Sequence, residues 1–162
     1  ALTDGGYASR RSECEAAAAE LGHASLRAAT PAEVERLSDP VLRRRARHVV
    51  TEIARVREVV DTLARGGAGH IGPALSASHA SLRDDFEVSS PELDLVVDTA
   101  VASGALGARM TGGGFGGSAL VLVPTGAVEQ LRGALAGAFA LKGWTPPRFL
   151  RAVPSRGARL LG

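Results

Sequence analysis

Cysteine, lysine, tyrosine, tryptophan and methionine each occur once in the 162 residues, and asparagine does not occur. With Cys14 alone, an internal disulfide and a cysteine-based zinc site are both excluded, and a reducing compartment is the natural setting. Cys14 then reads as a small buried apolar side chain. An excess of one charge sign is also missing: 19 basic residues stand against 17 acidic ones, a net charge of +2, so nucleic acid is not an expected partner. Arginine outnumbers lysine 18 to one, a skew that suits a GC-rich genome better than a phosphate-binding patch. No window approaches the run of about 18 apolar residues that a membrane span needs. The opening segment, Ala1 to Arg11, lacks the apolar stretch of a signal peptide, so a cytoplasmic protein with no membrane partner is expected.

What is present suits one folded domain over residues 1–162: 45% of residues are apolar and 22% charged, with no internal repeat or linker. The chain begins at Ala1, without methionine, and enters an amphipathic segment almost at once, which suggests a piece of a longer protein.

The spacing of Cys14, Ala17, Ala18 and Leu21 predicts a helix from about Ser9 to Leu21, stopped by Gly22. Thr30-Pro31-Ala32-Glu33 has a capping-box spacing with proline at the first helical position, and predicts a short helix to about Leu37. Asp39-Pro40 repeats the start signal. From there Leu42, Ala46, Val49, Val50, Ile53, Val56, Val60 and Leu63 form one stripe of a long helix ending at Gly66-Gly67. Further helices are expected over about Ile71–Leu82, from Ser90-Pro91 to Gly104, and over Ala127–Leu141. The period changes at Ala105–Met110 and Ser118–Val123, which read as buried strands around a glycine cluster, and Arg148–Val153 reads as a last strand. Helices first, then strand, glycine loop, strand, helix and strand predict an α+β fold with a small antiparallel sheet covered by several helices. A fourth strand is sought upstream of Ala1 or near Leu160.

The sharpest motif is Thr111-Gly112-Gly113-Gly114-Phe115-Gly116-Gly117, with five glycines in six residues from 112 to 117. Glycines in succession are costly to order, and they suit places where the backbone takes positive φ or closely approaches another group. Two readings stand side by side: a concave row of N–H groups for anionic oxygens, and a plain flexible hairpin. The letters satisfy G-x-G-x-x-G, but the following Ser118 to Val123 reads as a strand, not the helix a dinucleotide site opens, and no Gly-Lys-Ser/Thr follows. The run Arg43-Arg44-Arg45 with Arg47 reads as a solvated helix face. His79 with Ser81, Asp84 and Asp85 reads as structural or pocket-lining before catalytic, since neighbours on a helix point apart and no second histidine completes a metal site. Tyr7, between Gly5-Gly6 and the first helix, reads on its own as a half-buried anchor.

Four stretches in order, from Asp4 to Glu15, Arg45 to Glu52, Ser78 to Ser89 and Gly107 to Gly117, closely resemble the C-terminal half of the galactokinases, members of the GHMP kinase superfamily with its ferredoxin-like C-terminal domain. The resemblance covers nearly the whole chain. The glycine loop resembles the third superfamily motif, open to any member, whereas the stretches Tyr7 to Glu15 and Ser78 to Ser89 are specific to galactokinases. It implies transfer of the ATP γ-phosphoryl group, as Mg-ATP, to the anomeric hydroxyl of α-D-galactose, the committing step of the Leloir route. It also implies that Tyr7 contacts the sugar and that the nucleotide-binding residues Thr111, Gly112, Gly113, Gly114, Phe115, Gly116 and Gly117 lie against the nucleotide phosphate-binding loop of the other half, mainly in a shaping role. Gly113 stands where alanine is more usual, and Ser90 and Ser118 where cysteine is common. The family's sugar signature, serine-rich ATP loop, catalytic aspartate and Mg2+ ligands are not found between Ala1 and Gly162. This chain is therefore expected to carry no catalytic or metal residue, to rely on its own N-terminal half, and to be silent alone. Two alternatives are a non-catalytic relative that senses galactose and ATP, and a related kinase for a sugar such as N-acetylgalactosamine.

Overall fold

A computed structural model of the chain describes residues 4–153 and Gly157. Six α-helices and one hairpin follow in the order α1 (Asp4–Glu20), α2 (Pro31–Val34), α3 (Pro40–Ala64), α4 (Gly72–Asp84), α5 (Pro91–Ala102), β1 (Gly107–Thr111), β2 (Ser118–Leu122) and α6 (Val128–Leu141). The fold is α+β, as the element order predicts.

Local chemistry accounts for the starts. Thr30 and Glu33 form a complete capping box, Asp39 accepts from the backbone N–H of Val41 and Leu42, and Ser90 caps α5 through Leu93. In α1, ion pairs Arg10–Glu13 and Arg11–Glu15 at helical spacing support a run of alanines. This helix starts earlier than the spacing predicts, and takes in Gly5, Gly6 and Tyr7.

Three apolar clusters hold the elements together. Ala17, Ala18, Leu26, Val34, Leu37 and Ala46 join α1, α2 and the first half of α3. Val97, Ala100, Ala108, Leu131 and Leu135 join α5, β1 and α6. Leu82, Val88, Leu93 and Met110, with Phe86 and Phe115 beside them, lie beneath the glycine loop. The start of α4 lies directly on β1: a Cβ at Gly72 would run into the backbone of Leu106, and one at Gly107 into that of Gly72. The strands pair antiparallel from Gly107↔Leu122 to Thr111↔Ser118. Ala108 and Met110 are buried, while Thr111 and Leu120 face out.

The strand expected at Arg148–Val153 is not formed: this segment carries no regular structure, and the sheet among the described residues has two strands. Phe149 instead packs on the α5–β1–α6 cluster with its ring 5.2 Å from the Arg132 guanidinium, while Leu150 and Val153 are exposed. Leu160, the other candidate strand position, lies outside the described residues.

Candidate functional site

The last ladder pair, Thr111↔Ser118, leaves residues 112–117 as the tip of the hairpin. Gly112, Gly114, Gly116 and Gly117 have φ of 93°, 88°, 116° and 101°, and Gly113 is the one loop glycine outside that region. The loop has two unlike faces. Gly114 is buried, and a Cβ there would overlap the carbonyl oxygen of Val88. Around Gly112, Gly116 and Gly117 the space where a Cβ would lie is open for 4 Å. Phe115 itself has φ 59°, a costly left-handed conformation for a non-glycine residue, and its N–H donates to Val88 O at 2.6 Å. The inner side of the loop is packed on Val88, and its outer side is bare.

The Phe115 ring lies over Gly6 of α1, so closely that a Cβ at Gly6 would overlap it. Tyr7 follows immediately and is 66% exposed, which corrects the reading of a half-buried anchor. The glycine loop thus reaches α1 at the residue next to Tyr7, about a hundred residues away in sequence. Gly6 was the missing signal: a glycine inside a helix marks a close approach.

Beneath this junction is the arginine that the sequence reading placed on a solvated face. The Arg45 side chain is 3% exposed. Its Nε donates to Glu13 Oε2 on α1, its Nη1 to the Asp85 carbonyl and its Nη2 to Glu87 Oε2, each at 2.5 Å. Glu87 also has a left-handed backbone, φ 54°, and precedes Val88. Among the described residues, the two non-glycine residues of positive φ are therefore linked through Val88 O. Burial pushes the Glu13 carboxyl up, but hydrogen bonds from Arg45, Ser9 and Arg10 outweigh it and bring it down to about 2.

The histidines of the core are structural. His79 Nδ1 accepts from Met110 N–H at 3.2 Å, so its proton is on Nε2, facing Asp94 Oδ1 at 3.1 Å. Burial lowers its pKa against the opposing pull of Asp94. Ser81 does not meet His79. Its hydroxyl donates to Asp85 Oδ2 at 3.1 Å, and with that proton committed it accepts from His48 Nδ1 at 3.0 Å. This is the reverse of an activated nucleophile, in which the histidine takes the serine proton. His48 stacks on Phe86 with ring centroids 4.3 Å apart, and burial lowers its pKa to about 4. Glu52 gathers Ser78 at 2.7 Å, Arg109 at 3.4 Å and Arg55, tying α3, α4 and β1. Cys14 is half-buried, which raises its thiol pKa. Among the described residues no group of three His, Cys, Asp or Glu side chains is placed to hold a metal ion, and no helix is long and apolar enough to cross a membrane.

Comparison with known proteins fits this geometry. The chain is 56% identical over 164 aligned residues to the galactokinase of Streptomyces coelicolor, covering 98% of this chain and 42% of the relative. It is 43% identical over 157 residues to the galactokinase of Mycobacterium tuberculosis, covering 95% and 43%. A crystal structure of Lactococcus lactis galactokinase complexed with galactose superposes with a TM-score of 0.83 at 36% identity, over 90% of this chain and 40% of that one. The chain spans about two fifths of the length of the relatives it matches. The family model "GHMP kinases C terminal" matches residues 59–141, just over half of the chain and the segment that builds α4, α5, the hairpin and α6. On that match the chain belongs to the GHMP kinases, as their C-terminal domain.

Proposed function

We propose that this chain is the C-terminal half of a galactokinase, which transfers the γ-phosphoryl group of ATP to the anomeric hydroxyl of α-D-galactose and yields galactose 1-phosphate. The observation that supports the reading is the seat of the Phe115 ring on Gly6, which brings the glycine loop against the helix residue that precedes the exposed Tyr7. Tyr7 offers a hydroxyl and a ring face to a sugar. Within the loop Thr111 to Gly117, the backbone at Gly112, Gly116 and Gly117 carries no side-chain bulk and has open space beside it, so phosphate oxygens or a second loop can approach there.

Phosphoryl transfer rests on positioning and on neutralising the charge of the transferred group. This chain supplies a wall for both substrates. The divalent cation that accompanies ATP, the base or orienter for the sugar hydroxyl and the cationic clamp are assigned to the rest of the polypeptide. A cytoplasmic location goes with an enzyme that draws on ATP.

The test is ADP release by the complete product of the gene carrying this chain, with galactose, N-acetylgalactosamine or no sugar, beside the 162-residue chain alone. Galactose-dependent turnover by the complete protein and none by the chain alone is expected. Turnover confined to N-acetylgalactosamine points to a related sugar kinase. Binding of galactose and ATP without turnover points to a sensor. Either result ends the proposal.

A further inference from the structure

Arg45 touches neither Tyr7 nor the glycine loop, yet each of its three bonds ends on a segment that does. Through Nε it holds Glu13, two turns along the helix that carries Gly6 and Tyr7. Through Nη1 and Nη2 it holds the Asp85 carbonyl and the Glu87 carboxylate, which bracket the turn after α4. That turn sends Val88 O to Phe115 N–H and lies directly under Gly114.

We propose that Arg45 is a positioning residue, whose buried guanidinium sets the loop 112–117 and the Tyr7 end of α1 in register with each other. The inference rests on the reading of this junction as the substrate site.

The chemistry explains why arginine is needed. Glu87 occupies a backbone region that is costly for a residue with a Cβ, and such a conformation persists only where its surroundings over-determine it. Arg45 supplies that constraint at both ends of the bend, with Arg44 at 3.4 Å adding a weaker hold on the same carboxylate. A planar fork with several fixed donors reaches three acceptors on two elements, whereas a lysine ammonium on a flexible stem acts as a single point charge. The partners are 32, 40 and 42 residues from Arg45 in sequence, and Arg10 adds a longer tie between α1 and the same turn, its Nη2 3.5 Å from the Glu87 carbonyl oxygen.

The experiment compares Arg45→Met, Arg45→Lys, Glu13→Gln and Glu87→Gln in the complete gene product, by peptide-resolved hydrogen exchange and by steady-state kinetics well below the unfolding temperature. In Arg45→Met, peptides containing Phe115 and peptides from α1 are expected to exchange at least about tenfold faster, while α6 peptides around Leu135 stay protected. Glu13→Gln should loosen the α1 peptides alone, and Glu87→Gln the loop peptides alone. A displacement of the loop by about 1 Å should lower kcat/KM for ATP by about 10- to 100-fold. Arg45→Lys should fall between wild type and Arg45→Met in both readouts, and it keeps the test alive where Arg45→Met does not fold. Adding Glu87→Gly to Arg45→Met should recover part of the loss, because glycine adopts the left-handed turn unaided. Unchanged exchange of the Phe115 peptides in a folded Arg45 variant overturns the proposal, as does a uniform rise across all peptides. Exchange is read without substrate, so an inactive wild-type protein refutes the galactokinase reading and leaves the positioning result to be judged separately.

Discussion

One methyl group, placed at either of two adjacent glycines, should have opposite consequences. Gly114 has φ 88° and its missing Cβ would occupy the place of the Val88 carbonyl oxygen. In Gly114→Ala the left-handed backbone costs about 1–3 kcal/mol. Relief of the overlap must move backbone against backbone, and this breaks the Phe115 N–H bond to Val88, a further loss of about 1 kcal/mol. The sum is about 2–4 kcal/mol. Gly113 is exposed and is the loop glycine that lies outside the left-handed region. There alanine mainly restricts the unfolded chain, and Gly113→Ala should stabilise by about 0.4–1 kcal/mol. For a chain of this size 1 kcal/mol corresponds to about 2–4 °C, so the two variants should differ by roughly 10 °C in melting temperature. Thermal and guanidinium unfolding followed by circular dichroism measure the difference directly. Two variants within about 1 kcal/mol of each other would refute the reasoning, because the inner face of the loop would then not be fixed on Val88.

Acid should act in two windows. His48 falls from 6.5 to about 4 on folding, so the folded state disfavours its proton. Its contribution is complete above pH 6.5 and is lost as pH falls through 4, a total of about 3 kcal/mol at most. The lowered pKa of His79 acts in the same direction. Glu13, brought from 4.5 down to about 2, contributes fully above 4.5 and loses that contribution as pH falls through 2. Unfolding free energy measured against pH should therefore begin to fall near pH 6.5, and His48→Phe should flatten the upper part of that fall; an unaltered slope would count against it. At Tyr7, exposed and free of core contacts, Tyr7→Ala should raise KM for galactose with no change in melting temperature, and a stability loss above about 1 kcal/mol would show that the ring is structural. His79→Asn, whose side-chain oxygen can replace the Nδ1 acceptor for Met110 N–H, should be milder than His79→Leu, which strands that N–H at a cost of about 1–3 kcal/mol. Equal losses in the two unfolding curves would contradict the assigned tautomer.

The helix starts were legible because their signals are local: Thr30 with Glu33, Asp39 before Pro40, and Ser90 before Pro91 each satisfy backbone donors within three residues. The hairpin was legible through the change of period around the glycines. The start of α1 was not, because Gly5 and Gly6 are poor helix formers, and the reason for Gly6 is a ring from residue 115. Arg45 was hidden for a similar reason. Helical spacing ranks Arg43 and Arg47 together and looks for acids one turn away, while the partners of Arg45 come from α1 and the turn after α4. At Arg148–Val153 the apolar letters suggested a strand, but Phe149 is drawn to α6 and its neighbours stay exposed. The substrate roles expected for Tyr7 and Thr111 to Gly117 rest on the resemblance alone. The structure adds that Phe115 and Gly6 bring the loop against the residue next to Tyr7.

The central claim is phosphoryl transfer to an anomeric oxygen at this junction. Phosphorus NMR of the complete gene product with ATP, magnesium and galactose tests it most directly. The account predicts a new phosphomonoester signal split into a doublet by the single anomeric proton, growing in step with ADP, and reduced in Gly114→Ala. A mixture in which ATP persists, or gives only ADP and inorganic phosphate, would contradict it.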